Sequence, residues 1–181
     1  MSSTFPKTKK RGYHVEEVED FLEEARRAYT ADIAAPVVIN SGVIRRTAFT
    51  LKRGGYSPSH VDAALERLED AFALRERERQ LLQGGDVQWR AQNRSLAQEI
   101  LDRVARPAKH RFDRAGLFVS GYRRNEVDDF TGRVRELIQH GTPLSVEEVR
   151  AVTFGTASGG YHEEQVDQLL DAVVELLLAA R

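Results

Sequence analysis

Apolar residues recur with helical spacing in four stretches of the chain. Spacings of three and four residues place them on one side of a helix. The stripes are Val18, Phe21, Leu22 and Ala25; Val61, Leu65, Leu68 and Phe72; Val127, Phe130, Val134, Leu137 and Ile138; and Val166, Leu169, Leu170, Val173 and Leu177. No stretch predicts a strand of useful length, and residues 37–39 are the one short candidate. The pattern predicts an all-α fold in which irregular loops connect short helices.

One motif precedes each stripe: Gly-Tyr, then a Val five residues after the Tyr, then an acidic residue. The copies are Gly12, Tyr13, Val18 and Glu19; Gly55, Tyr56, Val61 and Asp62; Gly121, Tyr122, Val127 and Asp128; and Gly160, Tyr161, Val166 and Asp167. The glycine indicates either a positive φ or a close approach between chain segments. We predict that all sixteen residues are architectural, because repeating one packing unit is typical of binding or scaffold proteins.

The motif also predicts where each helix begins. If the residue after Tyr is the N-cap, Tyr and Val occupy the two positions of a hydrophobic staple. The N-caps are then His14, Ser57, Arg123 and His162. On this register Glu17, Glu126 and Gln165 are third in their helices, and we expect them to close capping boxes on the N-cap amide.

A longer period divides the chain into two similar tandem halves. Residues 44–49 align with residues 149–154, and a Phe precedes the Gly-Tyr pair by six residues in both. We therefore predict a first half at 1–83 and a second half at 107–181, each with two motif copies. A connecting helix at 84–106 joins them, and Gly84-Gly85 ends the long helix of the first half. Ser145 with Glu148 predicts a capping box, and Ser41 is the matching cap candidate in the first half.

The acidic residue of each motif copy has two structural interpretations. It can interact favourably with the helix dipole, or it can pair with an arginine across the contact between repeats. Arg45 and Arg150, at matched positions of the two halves, are the candidate partners.

Composition narrows the function classes. The chain of 181 residues has 27 basic and 28 acidic residues, a net charge of −1, which gives no global attraction to nucleic acid or anionic lipid. It contains no cysteine, which excludes disulfides and thiolate zinc sites and favours an intracellular location. No signal-peptide pattern follows the basic N-terminus, so export is not expected. Residues 169–180 are too short to span a bilayer.

Reactive residue types are present, but their spacing does not predict chemistry. Ser59, His60 and Asp62 are neighbours at one helix start and point in different directions, which excludes a catalytic triad. The histidines do not provide three converging metal ligands. Double glycines occur without the ending of a phosphate loop. We predict no enzyme activity, no catalytic residue, no metal and no cofactor.

The motif copies resemble the N-terminal motif of DivIVA-domain proteins. Residues 5–22 and 121–130 carry the resemblance most fully, and the four copies together resemble the compact, multi-repeat branch found in actinobacteria. The resemblance implies a non-enzymatic cytoplasmic interaction or scaffold protein of cell division or polar cell-wall growth. It further implies protein partners in that machinery, and loop tips that can contact the membrane at the septum or pole.

Contact residues follow from the position directly before each Gly. Family members have an apolar and then a basic residue there, whereas no copy in this chain has both, and the long coiled coil of the family is missing. The candidates for membrane or partner contact are Lys10, Arg11, Arg53, Phe118 and Val119. Val174, Leu176 and Leu178 add apolar surface to the last helix, which suggests a partner helix and a homodimer. The alternative function is a nucleic-acid-binding regulator that uses arginine-bearing helices, although the composition makes nucleic acid the less favoured partner.

Overall fold

The computed structural model describes residues 4–116 and 119–180, so the candidate contact residue Phe118 lies outside the described part. Within this part the chain is mostly helical. Its helices are α1 (Val15–Thr30), α2 (Ser41–Arg45), α3 (Pro58–Val104), α4 (Arg124–His140), α5 (Val146–Ala151) and α6 (Glu163–Ala179). Its strands are β1 (Arg11–Tyr13), β2 (Leu51–Arg53), β3 (Ser120–Tyr122) and β4 (Thr156–Ser158).

The fold is not purely α, because the strands form two small antiparallel sheets. β1 pairs with β2, with Arg11 opposite Arg53, and β3 pairs with β4, with Ser120 opposite Ser158. The prediction of irregular loops at these positions was wrong. A strand of three residues is too short to show an alternating pattern, and its partner is about 40 residues away in the sequence. Residues 37–39, the strand candidate, form no strand.

Helix α3 contains a break at Gly85, where φ is 71° and ψ is 173°, so it comprises two helices. This is the position at which Gly84-Gly85 was predicted to end the long helix. The chain divides here into two compact units, residues 1–83 and 84–181. Segment 84–106, predicted to be a separate connecting helix, therefore belongs to the second unit.

The short helices differ in their caps. α5 begins with the predicted capping box, in which Ser145 Oγ accepts from Glu148 N and Glu148 Oε2 accepts from Ser145 N. In α2 the cap is Asn40, whose Oδ1 accepts from Val43 N at 2.7 Å. Ser41, the predicted cap, instead donates its N–H and its hydroxyl to Glu76. The prediction missed by one residue because asparagine caps helices as well as serine does.

Each unit has its own apolar core. Two clusters of buried residues form the first, namely Ala25, Ile39, Ile44 and Phe72, and Val18, Tyr56 and Val61. The second unit buries residues from α4, α5, α6 and the end of α3, among them Ile100, Val104, Val127, Val134, Val149, Val166 and Val173. Val174 and Leu178 are buried there too, so these two residues do not offer a surface to a partner helix. Trp89 is only half-buried and does not belong to the core.

Among the described residues, no helix is both long enough and apolar enough to cross a membrane.

Candidate functional site

The two Gly-Tyr pairs of the first unit contact each other through their backbones. Tyr13 N donates to Tyr56 O and Tyr56 N donates to Tyr13 O, both at 2.9 Å. A Cβ added to Gly12 would lie 2.9 Å from Gly55 C and still closer to Tyr56 O. A Cβ on Gly55 would lie 2.6 Å from Gly12 O. Both glycines are therefore required because the two backbone segments approach each other too closely for a Cβ, and not because of a positive φ.

The second unit contains the same arrangement. Tyr122 N donates to Tyr161 O at 3.0 Å, and Tyr161 N donates to Tyr122 O at 2.8 Å. A Cβ on Gly121 would clash with Tyr161 O, and one on Gly160 would lie 2.5 Å from Gly121 C. In each unit the two motif copies thus join across reciprocal backbone hydrogen bonds.

The tyrosine hydroxyls cross over to the acidic residue of the opposite copy. In the first unit, the buried Tyr56 donates its hydroxyl to Glu19. Tyr13 hydrogen-bonds Asp62, and its pKa is raised first by burial and then by the charge of Asp62 and this hydrogen bond. Each copy therefore provides the acid that the tyrosine of its partner needs.

The same crossing occurs in the second unit. Tyr161 donates its hydroxyl to Asp128 Oδ1 at 2.9 Å, and Tyr122 hydrogen-bonds Asp167. Burial and Asp128 raise the pKa of Tyr161 to about 12, against the opposing effect of the Arg111 N–H that donates to its hydroxyl. Burial also raises the pKa of Tyr122 and that of Asp167.

These contacts give the motif acids tyrosine partners in the opposite copy. Arg45, one of the two arginines predicted to pair with a motif acid, pairs with the buried Glu69, with Nη2 and Oε1 separated by 2.6 Å. Arg111, which was not predicted, approaches a motif acid: its Nη1 lies 3.6 Å from Asp128 Oδ1 and also donates to Thr131 Oγ1. Sequence reasoning missed Arg111 because it precedes the motif by ten residues and has no charged counterpart in the first half.

The helix starts agree with the predicted register, since His14, Arg123 and His162 are N-caps and α3 begins at Pro58. Tyr13 and Val18 pack in one apolar cluster, together with Tyr56 and Val61. The staple of the first copy is therefore part of a core shared by both copies. None of the three N-caps makes a side-chain capping hydrogen bond.

The predicted capping boxes of these helices were wrong. Glu17 accepts from Thr50 N at 2.8 Å, Glu126 from Gly155 N at 2.7 Å and Gln165 from Asp113 N at 3.0 Å. The N-cap amides donate to the carbonyls of those same three residues, at 2.7–2.8 Å. Because the N-cap amide already has a partner, the side chain instead accepts a hydrogen bond from the N–H of that same distant residue. We call this pair of hydrogen bonds, one to the C=O and one from the N–H of the distant residue, the clamp.

Aromatic rings surround both Gly-Tyr contacts in a matched way. Phe5 packs edge-on against Tyr56 with ring centres 5.4 Å apart, and Phe112 does so against Tyr161 at 5.2 Å. Phe49 and Phe154, the residues that defined the longer period, contact Tyr13 and Tyr122, each at 5.4 Å. Such pairs stabilise a fold beyond their buried area, by roughly 0.5–1.5 kcal/mol each.

The candidate contact residues of the first unit come together at one end of the β1–β2 sheet. Arg11 lies opposite Arg53, and Gly54 N donates to Lys10 O. We call the exposed residues Lys7, Lys9, Lys10, Arg11, Lys52 and Arg53 the basic tip. The matched sheet of the second unit has Ser120 and Ser158 in place of the arginine pair, beside Val119, which is 59% exposed.

The residues that suggested catalysis or metal binding have structural partners. Asp62 hydrogen-bonds Tyr13, while Ser59 Oγ and His60 Nδ1 are 3.5 Å apart. His14 lies 3.3 Å from Glu17 and 2.7 Å from Lys52 Nζ. In residues 4–116 and 119–180 no group of three or more His, Asp or Glu side chains could hold a metal ion.

Comparison of the chain with protein families, with curated proteins and with solved structures finds no match.

Proposed function

We propose that the chain is a DivIVA-like interaction protein of cell division or polar cell-wall growth, built from an internal duplication and acting through its surfaces rather than through a reaction. Its partners are proteins of that machinery, with the cytoplasmic face of the membrane as a second contact. The four motif copies that resemble the family support this proposal. Each contributes the same residue types to one recurring contact.

The crossed tyrosine–acid hydrogen bonds are the one observation that most supports an architectural role for the motif residues. A catalytic group needs a free face toward a substrate, whereas the hydroxyl of Tyr56 is bonded to Glu19 and the hydroxyl of Tyr161 to Asp128. Both tyrosines are fully buried. The motif residues are therefore used to join two copies, and the outer surfaces of the units remain for partners.

The basic tip supports an anionic surface as one contact. Segments 7–12 and 50–55 bring six cationic residues together and contain no acidic residue. Like charges directly opposite each other in a sheet, such as Arg11 and Arg53, destabilise the pairing unless an anion neutralises them. Clusters of four to eight Lys and Arg residues are typical of proteins that bind anionic lipid.

Localisation tests the proposal. In dividing cells of the native host, a fluorescent fusion of the whole chain should accumulate at septum or pole, and capture of the chain should recover division or wall-growth proteins. The Gly132→Ala variant should behave the same, because no atom beyond the neighbouring backbone of its own helix lies within 4 Å of the added Cβ. A diffuse distribution of the unaltered chain, with no such protein recovered, would contradict the proposal.

Co-sedimentation with vesicles tests the basic tip separately. Arg11→Glu with Arg53→Glu should weaken binding to vesicles containing phosphatidylglycerol by about tenfold or more, since each cation near such a surface contributes about 1 kcal/mol. The control is Arg26→Glu with Arg67→Glu, which reverses two exposed charges elsewhere in the unit. Equal loss in both variants would contradict the basic tip as the contact surface, and tighter binding to duplex DNA than to vesicles would favour the nucleic-acid alternative.

A further inference from the structure

The first unit carries a cavity of about 500 Å³ that lies apart from the Gly-Tyr contact. It is bounded by the C-terminal part of α1, by segment 31–40 and by α3. Ala28, Pro36 and Phe72 contribute to its apolar lining, as do Val37 and Val38, which are 50% and 68% exposed. Exposed neighbouring valines beside an open apolar cavity are typical of a binding surface rather than of a closed core.

Side chains of α3 hold segment 31–40 in place. Arg75 donates to Ala31 O, and Arg79 Nη1 donates to Ala35 O at 2.7 Å. Between them in sequence, Glu76 accepts from Ser41 N at 2.5 Å and from Ser41 Oγ at 2.8 Å. These three residues fix the segment at its start, its middle and its end. A cavity fixed in this way binds a ligand without an added cost of ordering the loop.

The second unit has a shorter connection at the matched place. Ten residues, 31–40, connect α1 to α2, whereas five residues, 141–145, connect α4 to α5. In the short connection Leu144 is buried, while in the long one Val37 and Val38 are exposed. The walls of the cavity thus include residues that have no counterpart in the second unit. The cavity therefore does not result from the packing that the two units have in common.

The charges around the cavity favour an acidic occupant. Arg27, Arg75 and Arg79 line it together with two acids, Glu24 and Glu76. Both oxygens of Glu76 already accept hydrogen bonds from Ser41. A guanidinium has five N–H donors, and within residues 4–116 and 119–180 Arg75 and Arg79 each donate to one backbone carbonyl, which leaves donors for a ligand carboxylate. The apolar lining requires apolar side chains beside that carboxylate.

We propose that this cavity docks a short peptide segment of another protein, in which two or more apolar side chains are next to an Asp or Glu. The apolar side chains fill the space beside Val37, Val38 and Phe72, and the carboxylate binds the arginines. The proposal rests on the proposed function as an interaction protein and names the chemistry of one partner. It concerns a different surface from the basic tip.

Selection from a phage-displayed library of random 12-residue peptides tests the docking site on the full chain. Peptides retained by the unaltered chain should share apolar residues adjacent to Asp or Glu. In fluorescence anisotropy, synthetic copies should bind the Val38→Glu variant about tenfold more weakly, because an acidic side chain then occupies the apolar wall and repels the peptide. Leu82→Glu is the control, since Leu82 is 73% exposed in the same unit and does not line the cavity.

A charge-reversal pair tests the electrostatic part. Arg27→Glu should weaken binding of the selected peptides about fivefold or more. Arg26→Glu, which changes the neighbouring exposed arginine outside the cavity, should change their affinity less than twofold. No enrichment of peptides, enrichment of peptides without acids, or equal binding to the unaltered chain and the Val38→Glu variant would each overturn the docking site. Localisation of the unaltered chain is measured independently, so failure here is distinguishable from failure of the proposed function.

Discussion

At the residue scale, the glycines of the motif are determined by what lies next to them. Gly121 has an extended backbone that any residue could adopt, yet its missing Cβ leaves room for Tyr161 O and for Ala115 Cβ, which would be 2.9 Å away. Positive φ occurs instead at Gly54 and Gly159, directly before the motif. The sequence permitted either explanation, because a single chain does not reveal which backbone segment will approach.

Gly121→Ala and Gly132→Ala should therefore change stability in opposite directions. The first forces the two backbones of the second unit apart, and we expect a loss of about 3 kcal/mol in the free energy of unfolding. The second adds a methyl group to α4 with no atom beyond the neighbouring helix backbone within 4 Å, and we expect a gain of roughly 0.5–1 kcal/mol. Urea denaturation of both variants measures the difference, and equal effects would contradict the close-approach explanation.

The pKa of Tyr161 predicts a loss of stability at alkaline pH. In the unfolded chain this hydroxyl ionises near its ordinary value of 10.0, whereas in the folded chain its pKa is about 12. Its contribution is complete below pH 10 and is lost as the pH rises toward 12, by roughly 2 kcal/mol. Tyr161→Phe should show a shallower fall over this range in pH-dependent urea denaturation. An identical fall in Tyr161→Phe and in the unaltered chain would contradict the assignment.

At the element scale, three of the four Gly-Tyr helices, α1, α4 and α6, are each tied to a distant segment through the first turn. The N-cap amide and the third side chain together hold Thr50, Gly155 or Asp113. The staple register predicted the helix starts correctly because it depends only on neighbouring residues. It could not predict this second contact, because a capping box and a contact with a distant N–H require the same Glu or Gln at the third helix position. The two arrangements differ only in which backbone amide is nearby.

Glu126 makes this clamp sensitive to acid. Its pKa is lowered first by the N–H of Gly155 and then by Arg123, so the carboxylate stabilises the fold above its ordinary value of 4.5. This stabilisation is lost as the pH falls through the lower pKa of the folded state. In thermal melts, Glu126→Gln should reduce the difference between pH 6 and pH 3 relative to the unaltered chain. Asp129→Asn, an exposed change on the same helix, should not reduce it.

At the scale of the whole molecule, the chain divides into two units at the break in α3, and each unit contains one Gly-Tyr contact. Helical content and the helix starts were predictable, because the apolar spacing and the staple register depend on residues that are close together in the sequence. The short sheets and the crossed tyrosine–acid bonds were not predictable. They depend on residues such as Tyr56 and Glu19, which are 37 positions apart and are distinguished by no local pattern.

The two units differ outside the Gly-Tyr contact, and the proposed binding surfaces lie where they differ. The basic tip occurs on the first sheet, where the second has serines, and the longer connection at 31–40 forms the cavity. The proposed contacts thus use residues outside the Gly-Tyr contact that both units contain. Sequence reasoning found the arginines of the tip but not the cavity, because its lining residues come from three separate segments.

A double-mutant cycle in the second unit tests the crossed pairing most directly. Tyr161→Phe and Asp128→Asn should be coupled by about 1 kcal/mol or more in the free energy of unfolding, since each residue binds the other across the two copies. Tyr122→Phe and Asp128→Asn, a tyrosine and an acid of the same copy, should be additive within about 0.5 kcal/mol. Coupling within a copy and additivity between copies would contradict the account.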